Sequence, residues 1–142
     1  MKLDLPEVPQ PVAAYVPAMV VGNMVRTSGQ LPFRDGELIA KGQLGTPAMT
    51  VEVAQDAAKQ AALNAIAAAA KAAGGLDNLA SVVKVTGFVA STPEFYAQPT
   101  VIDAASKFLE DIFGSKHIRS AVGVVSLPLN ASVEIEVEFS LK

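Results

Sequence analysis

The fold is decided by residues 119–141, which read RSAVGVVSLPLNASVEIEVEFSL. Two β-prone runs flank one short turn, Pro128-Leu129-Asn130. The second run alternates apolar and polar residues, and a period of two predicts a strand with one buried face. The predicted buried face carries Val133, Ile135, Val137, Phe139 and Leu141. The opposite face carries Glu134, Glu136 and Glu138.

Two helices are predicted upstream of this stretch. The first covers residues 51–73, which contain twelve alanines and neither Gly nor Pro, so its helix propensity is high throughout. Thr50 is the predicted N-cap and Gly74-Gly75 the stop. The second helix runs from about Pro99, a residue suited to a first turn, to Phe113. Its apolar residues recur at intervals of three and four, which is the helical period.

The complete order of elements is ββαβαββ, which predicts a single α+β domain over residues 1–142. Two helices on one sheet leave the other sheet face uncovered, and in this chain that face carries the three glutamates and Lys84, their predicted charge partner. Gly22-Asn23 is a hairpin signal, and Arg34-Asp35-Gly36 is a second tight turn. The predicted strands are Tyr15–Val21, Met24–Ser28, Leu79–Ser91, Arg119–Leu127 and Ser132–Leu141.

Composition excludes several classes of function. The chain has no cysteine and one histidine, His117, which excludes thiolate chemistry, disulfides and a histidine-rich metal site. A net charge of −3 without a basic run argues against nucleic-acid binding and RNA cleavage. We expect no cofactor, no membrane span and a cytoplasmic location, because no signal-like or sufficiently apolar run is present. A hydrophobic content of 51% favours contact between copies of the chain.

Candidate chemistry lies between Arg119 and Glu134. The short turn after the arginine strand predicts an antiparallel hairpin, which would bring Arg119 near the glutamate face. A guanidinium there can pair with a glutamate, or it can hold a ligand carboxylate through two parallel hydrogen bonds. The residues alone leave both interpretations open, and a solvated glutamate face is the simpler one.

The segment Arg119 to Glu136 resembles the signature of the Rid (YjgF-like) imine deaminases. In that family an Arg begins a valine-rich strand, followed by Leu-Pro, a short turn and a Val-Glu-Ile-Glu strand. Gly22 to Gln30 and Gly74 to Thr86 resemble two further family stretches, and the similarity extends from about Tyr15 to Leu141. The resemblance implies a chorismate-mutase-like (YjgF-like) fold and a homotrimer with clefts between subunits that bind small carboxylate-bearing metabolites.

The implied activity is hydrolysis of reactive enamine and imine intermediates, such as 2-aminoacrylate, to keto acid and ammonia. Such hydrolases acting on C=N bonds serve metabolite damage control. The resemblance implies that Arg119 binds the substrate carboxylate and that Glu134 orients water. It also implies substrate-binding roles for Tyr15, Ser28, Gly29, Gln30 and Ala121. The alternative is a non-catalytic or regulatory trimer that only binds small carboxylates.

The stretch from Val101 to Arg119 departs from RidA and indicates a divergent Rid-like subgroup. RidA has an asparagine in the helix before the arginine, and its nearest counterpart here is Ile102 or Asp103. An aspartate near the cleft would oppose a carboxylate ligand. The simpler interpretations are a solvated helix charge for Asp103 and a structural position at the cleft rim for His117.

Overall fold

The computed structural model describes residues 2–9 and 13–142. The elements are β1 (Ala18–Val21), β2 (Met24–Thr27), β3 (Phe33–Arg34), β4 (Glu37–Leu38), α1 (Val51–Ala73), β5 (Leu79–Ala90), α2 (Gln98–Phe113), β6 (Ile118–Val124) and β7 (Val133–Leu141). Five strands form one mixed sheet in the order β1-β2-β7-β5-β6, in which β5 and β6 are parallel and the other neighbours antiparallel.

Both predicted helices are confirmed almost to the residue. The Thr50 hydroxyl accepts a hydrogen bond from the Val53 N–H at 3.2 Å, and α1 ends at Gly74, whose φ is 83°. α2 has Pro99 in its first turn and ends at Gly114. No helix in the described part of the chain is long and apolar enough to cross a membrane.

The two helices pack on one face of the sheet, as predicted. The core joins the alanines of α1 to the buried odd-numbered residues of β7 from Val133 to Phe139. The other sheet face is left without a helix and carries the glutamates. On that face Lys84 lies directly opposite Glu138. The small β3–β4 hairpin, with its turn at Asp35-Gly36, forms a separate two-stranded sheet.

The predicted hairpin between the last two strands is wrong, because β5 lies between them. The α2 crossover makes β6 parallel to β5, and β7 pairs with the other edge of β5. Arg119 lies opposite Val85, which in turn lies opposite Val137. Side chains directly opposite one another share a sheet face, so Arg119 faces the helices and Glu134 faces away from them.

Close packing of α2 explains why the odd-numbered side chains of β6, including that of Arg119, face the helices. A Cβ added to Gly123 would lie 2.6 Å from Gln98 Nε2 of α2, so the helix passes too near for a larger side chain. The bulkier Ile118 and Val122 lie on the uncovered face, where they are 65% and 43% exposed. The apolar pattern of β6 alone would favour the opposite orientation.

Replacing Gly87 with alanine is expected to lower the free energy of unfolding by about 1–3 kcal/mol through overpacking. A Cβ there would lie 2.5 Å from Cδ1 of the buried Ile102. Chemical denaturation of the variant measures the loss. Adding Ile102→Ala should make the two effects non-additive, and a Gly87→Ala protein as stable as the parent would contradict the close approach of α2.

Candidate functional site

Arg119 lies near the start of the edge strand β6 with its side chain against α2. Its Nη1 atom donates hydrogen bonds to Asp103 Oδ1 at 2.8 Å and to Ser106 Oγ at 3.3 Å. Asp103 and Ser106 are three residues apart on α2 and therefore share one helix face. Ser106 Oγ is also 2.9 Å from His117 Nε2. The guanidinium is thus held in one orientation at the edge of the sheet.

One side of this guanidinium remains available. Arginine has five N–H donors, and both known partners of Arg119 are on Nη1. Nε and Nη2, which lie on the same side of the planar group, make no hydrogen bond within residues 2–9 and 13–142. The side chain is 24% exposed. Nε and Nη2 thus keep two parallel N–H groups without an acceptor in the described residues, an arrangement whose geometry matches a carboxylate.

His117 supports this cluster in its neutral form. Burial lowers the pKa of His117, and the positive charge of Arg119 lowers it further. Its Nδ1 atom is buried without a hydrogen-bond partner in the described part of the chain. In the charged form, which carries a proton on both ring nitrogens, Nδ1–H would be a buried, unpaired donor beside a cation, which is unfavourable. Neutral His117 thus adds no charge to the site around Arg119.

Glu134 occupies a different setting on the uncovered face of β7. It lies opposite Phe88, and its carboxylate covers Gly29, where an added Cβ would lie 2.5 Å from Oε2. It makes no hydrogen bond or ion pair with any described residue. Burial raises the pKa of Glu134, and the neighbouring charge of Glu136 raises it further. A half-buried carboxylate with a raised pKa is a suitable proton acceptor near neutral pH.

The segment after β2 is fixed beside Glu134. Gln30 exchanges two backbone hydrogen bonds with β7, at 2.8 and 3.0 Å, and its Nε2 donates to the Ser28 carbonyl at 3.2 Å. Ser28 Oγ donates to the Val16 carbonyl at 2.6 Å, which ties this segment to the chain around Tyr15. Tyr15 is 57% exposed and lines one shallow groove together with Ser28.

The sequence-predicted residues form two groups within one chain. Ser28, Gly29 and Gln30 lie with Glu134, and Tyr15 is beside them. Arg119 and Ala121 face the helices instead, with β5 between them and β7, a lateral separation of about 10 Å. One copy of the chain therefore does not bring Arg119 and Glu134 to the same ligand.

Sequence analysis missed Ser106, which contacts both Arg119 and His117. Ser106 follows Asp103 by three residues, and residues at that spacing share a helix face, so the sequence could have indicated that both contact the same partner. The aspartate itself pairs with Arg119 rather than standing alone in solvent. Among the residues described, no three His, Asp or Glu side chains are grouped as a metal site.

Residues 1–138 match the family described as "YjgF/chorismate mutase-like, putative endoribonuclease". Protein TCP17 of Trypanosoma cruzi is 38% identical over 94% of this chain and 85% of its own length. The 2-iminobutanoate/2-iminopropanoate deaminase of Dermatophagoides farinae is 34% identical over 94% and 91%.

A solved structure shows the same architecture. Atu1372 of Agrobacterium tumefaciens, a protein described as of unknown function, superposes with a TM-score of 0.87 at 42% identity, covering 94% of this chain and 86% of that one. The two proteins thus share both the arrangement of two helices on a mixed sheet and much of their sequence. The resemblance found in the sequence is confirmed: this chain belongs to the YjgF/chorismate mutase-like family.

Proposed function

We propose that the protein hydrolyses small 2-imino acids and their enamine tautomers to keto acid and ammonia, in clefts between copies of a homotrimer. The placement of Arg119 and Glu134 carries this proposal. The arginine offers an unused pair of N–H groups on one face of the sheet, and the glutamate offers a base on the other. A single ligand can contact both side chains if one copy of the chain supplies Arg119 and a neighbouring copy supplies Glu134.

The uncovered sheet face supports assembly of copies. It exposes four apolar side chains around the row of glutamates: Met19, Val21, Ile118 and Val122. A patch of this kind with a polar rim is typical of a protein–protein contact. In a closed ring each copy presents the same two surfaces to its neighbours, so every cleft would pair one copy's Arg119 with another copy's Glu134.

The two side chains suit the chemistry of a C=N bond. Arg119 would bind the carboxylate and thereby fix the position of the imine carbon. Glu134 would take a proton from water while the oxygen attacks that carbon, giving a 2-amino-2-hydroxy acid. Return of the proton to nitrogen lets the C–N bond break, while the hydroxyl proton passes to Glu134 and the C=O bond forms, which releases ammonia and leaves the keto acid. An enamine first takes a proton on carbon to become the imine.

Mixed assemblies test the two-copy site. Arg119→Ala and Glu134→Gln chains, each inactive alone, are co-expressed with different tags, and the hybrid oligomers are purified. In a purified hybrid trimer of either composition, one cleft of the ring, or about a third of the clefts, has both native residues. We expect about that share of wild-type ammonia and keto-acid release from freshly generated 2-aminoacrylate.

Hybrids as inactive as their parents would contradict a cleft built from two copies. Full activity in both single variants would refute the proposed chemistry itself. The alternative is a protein that binds small carboxylates without converting them. Titration with 2-oxobutyrate, run beside the turnover assay, tests it, because that alternative predicts saturable binding and no release of ammonia. Size-exclusion chromatography with light scattering determines whether the assembly is a trimer.

Replacing Gly29 with alanine is expected to lower kcat about tenfold, because misplacing a catalytic group by a fraction of an ångström already slows turnover. The new methyl group would meet the Glu134 carboxylate. Steady-state kinetics with 2-iminopropanoate measure the effect. Thermal unfolding checks the fold, and unchanged kcat would show that Glu134 does not act from this position.

The acid side of the pH profile should report Glu134. Because burial and then Glu136 raise the pKa of Glu134, this base becomes protonated, and kcat/KM falls, at a higher pH than for an ordinary glutamate. Glu136→Gln removes the smaller cause and should move the fall to lower pH. Glu138→Gln is the matched control and should leave it in place. A profile that Glu136→Gln does not move would contradict the assignment.

A further inference from the structure

We propose that Asp103 makes this site select ligands that carry a cationic nitrogen beside their carboxylate over ligands that carry negative charge alone. The inference rests on the proposed function and defines the charge class of its substrate. A protonated 2-imino acid belongs to the selected class. The keto acid product and dicarboxylic acids belong to the disfavoured one.

The first step of the argument is the position of Asp103. Its Oδ1 atom is 2.8 Å from Arg119 Nη1, and its side chain is 48% exposed, twice the 24% of Arg119. Its Oδ2 atom has no hydrogen-bond partner in the described ranges. Asp103 therefore presents an acceptor oxygen and a negative charge directly beside the arginine that would hold the ligand carboxylate.

The second step is the local charge. The pair of Arg119 and Asp103 is neutral in sum, and His117 adds no charge because burial and Arg119 lower its pKa. The nearby Glu110 and Lys116 neutralise each other in an ion pair of 3.3 Å. A ligand carboxylate on the free side of the guanidinium thus lies near a carboxylate whose ion pair within the described residues is with Arg119 itself.

The third step is the matching of ligand charges. A bare anion on Nε and Nη2 is attracted by Arg119 but repelled by Asp103, and such forces are stronger at a partly buried site than in water. A zwitterion brings its own cation and can place it toward Asp103. The protonated C=N nitrogen is also the form that water attacks most readily. The keto acid has lost this nitrogen, so the same pair favours its release.

The test uses stable ligands of known charge on the intact assembly. Calorimetric titrations compare 2-aminobutyrate, a zwitterion, with 2-oxobutyrate, an anion, and 2-oxoglutarate, a dianion. Asp103→Asn keeps the shape and the acceptor toward Nη1 while removing the charge. We expect it to shift the ratio of Kd values for zwitterion and anion about tenfold toward the anion, equivalent to about 1.4 kcal/mol, and further for the dianion.

Two control variants separate charge from positioning. Asp56→Asn removes an aspartate paired with Arg34 on α1, at 3.4 Å, and should leave the ratio unchanged. Ser106→Ala removes the other Nη1 partner of Arg119 without a change of charge, and should weaken all three ligands alike. Thermal unfolding verifies that each variant is folded.

An unchanged ratio in Asp103→Asn would overturn the inference, and so would equal weakening of all three ligands, since Asp103 would then only position Arg119. Failure of wild-type protein to bind 2-aminobutyrate would overturn it as well. These titrations need no turnover. A shifted ratio without deamination therefore refutes the proposed hydrolysis alone, whereas deamination with an unshifted ratio refutes the role of Asp103 alone.

Discussion

Alanine in place of Arg119 is expected to lower kcat/KM for 2-iminopropanoate about a hundredfold, or roughly 3 kcal/mol. The variant removes both N–H groups available to the substrate carboxylate, and it leaves Asp103 as an uncompensated negative charge beside the binding position. Both effects oppose an anionic group. Steady-state kinetics with the imino acid generated in excess measure the loss, and titration with 2-oxobutyrate should show a similar loss of binding.

Arg34 provides the matched control. It also bonds one aspartate and one neutral side chain, Asp56 and Gln60, but on the small β3–β4 hairpin. Arg34→Ala should leave kcat/KM within about twofold, as expected for a substitution remote from the chemistry. Arg119→Lys keeps the charge without the two-pronged geometry and should recover only part of the activity. Wild-type binding of 2-oxobutyrate in Arg119→Ala would contradict the assignment.

Glutamine in place of Glu134 is expected to lower kcat by a factor of 10²–10³ while changing Kd for 2-oxobutyrate little, because a positioned proton acceptor typically contributes about 10²–10⁴-fold. The amide keeps the size of the side chain above Gly29 but cannot accept a proton from water. Ammonia release in single-turnover and steady-state assays separates this loss from any change in binding.

Glu138→Gln is the matched control on the same strand face. Glu138 lies four residues further along β7 and pairs with Arg26 at 3.4 Å, so we expect its loss to leave kcat within about twofold. Retention of wild-type kcat in Glu134→Gln would show that water is activated without this carboxylate. An equal loss in both variants would instead point to the charge of the whole glutamate row.

Local chemistry accounts for the elements that were predicted well. The length and position of α1 are predicted by the helix propensity of its alanines, by the Thr50 hydroxyl at its start and by Gly74 at positive φ at its end. The glutamate face of β7 follows from alternation within a single strand. Each of these features depends on neighbours in the sequence, so the sequence is enough to predict it.

The candidate site was predicted only in part. Motif spacing selected Arg119, Glu134 and the Ser28–Gln30 segment, and the structure fixes that segment beside the glutamate through two backbone hydrogen bonds to β7. The partners of the arginine, Asp103 and Ser106, lie on α2 and precede it by 16 and 13 residues. Only the docking of α2 on the sheet brings them within hydrogen-bonding distance.

The sequence by itself determined the family, the two helices, the uncovered glutamate face and the residues worth testing, because these depend on local propensity and on motif spacing. The tertiary structure alone decided that β5 separates β6 from β7 and that Arg119 faces α2. The physical reason is steric: α2 returns the chain parallel to β5 and packs so close that a Cβ at Gly123 would lie 2.6 Å from Gln98 Nε2, so the alternate residue Gly123, and not the bulkier Val122, faces the helix. That packing turns Ile118 and Val122 outward and places Arg119 and Glu134 on opposite faces.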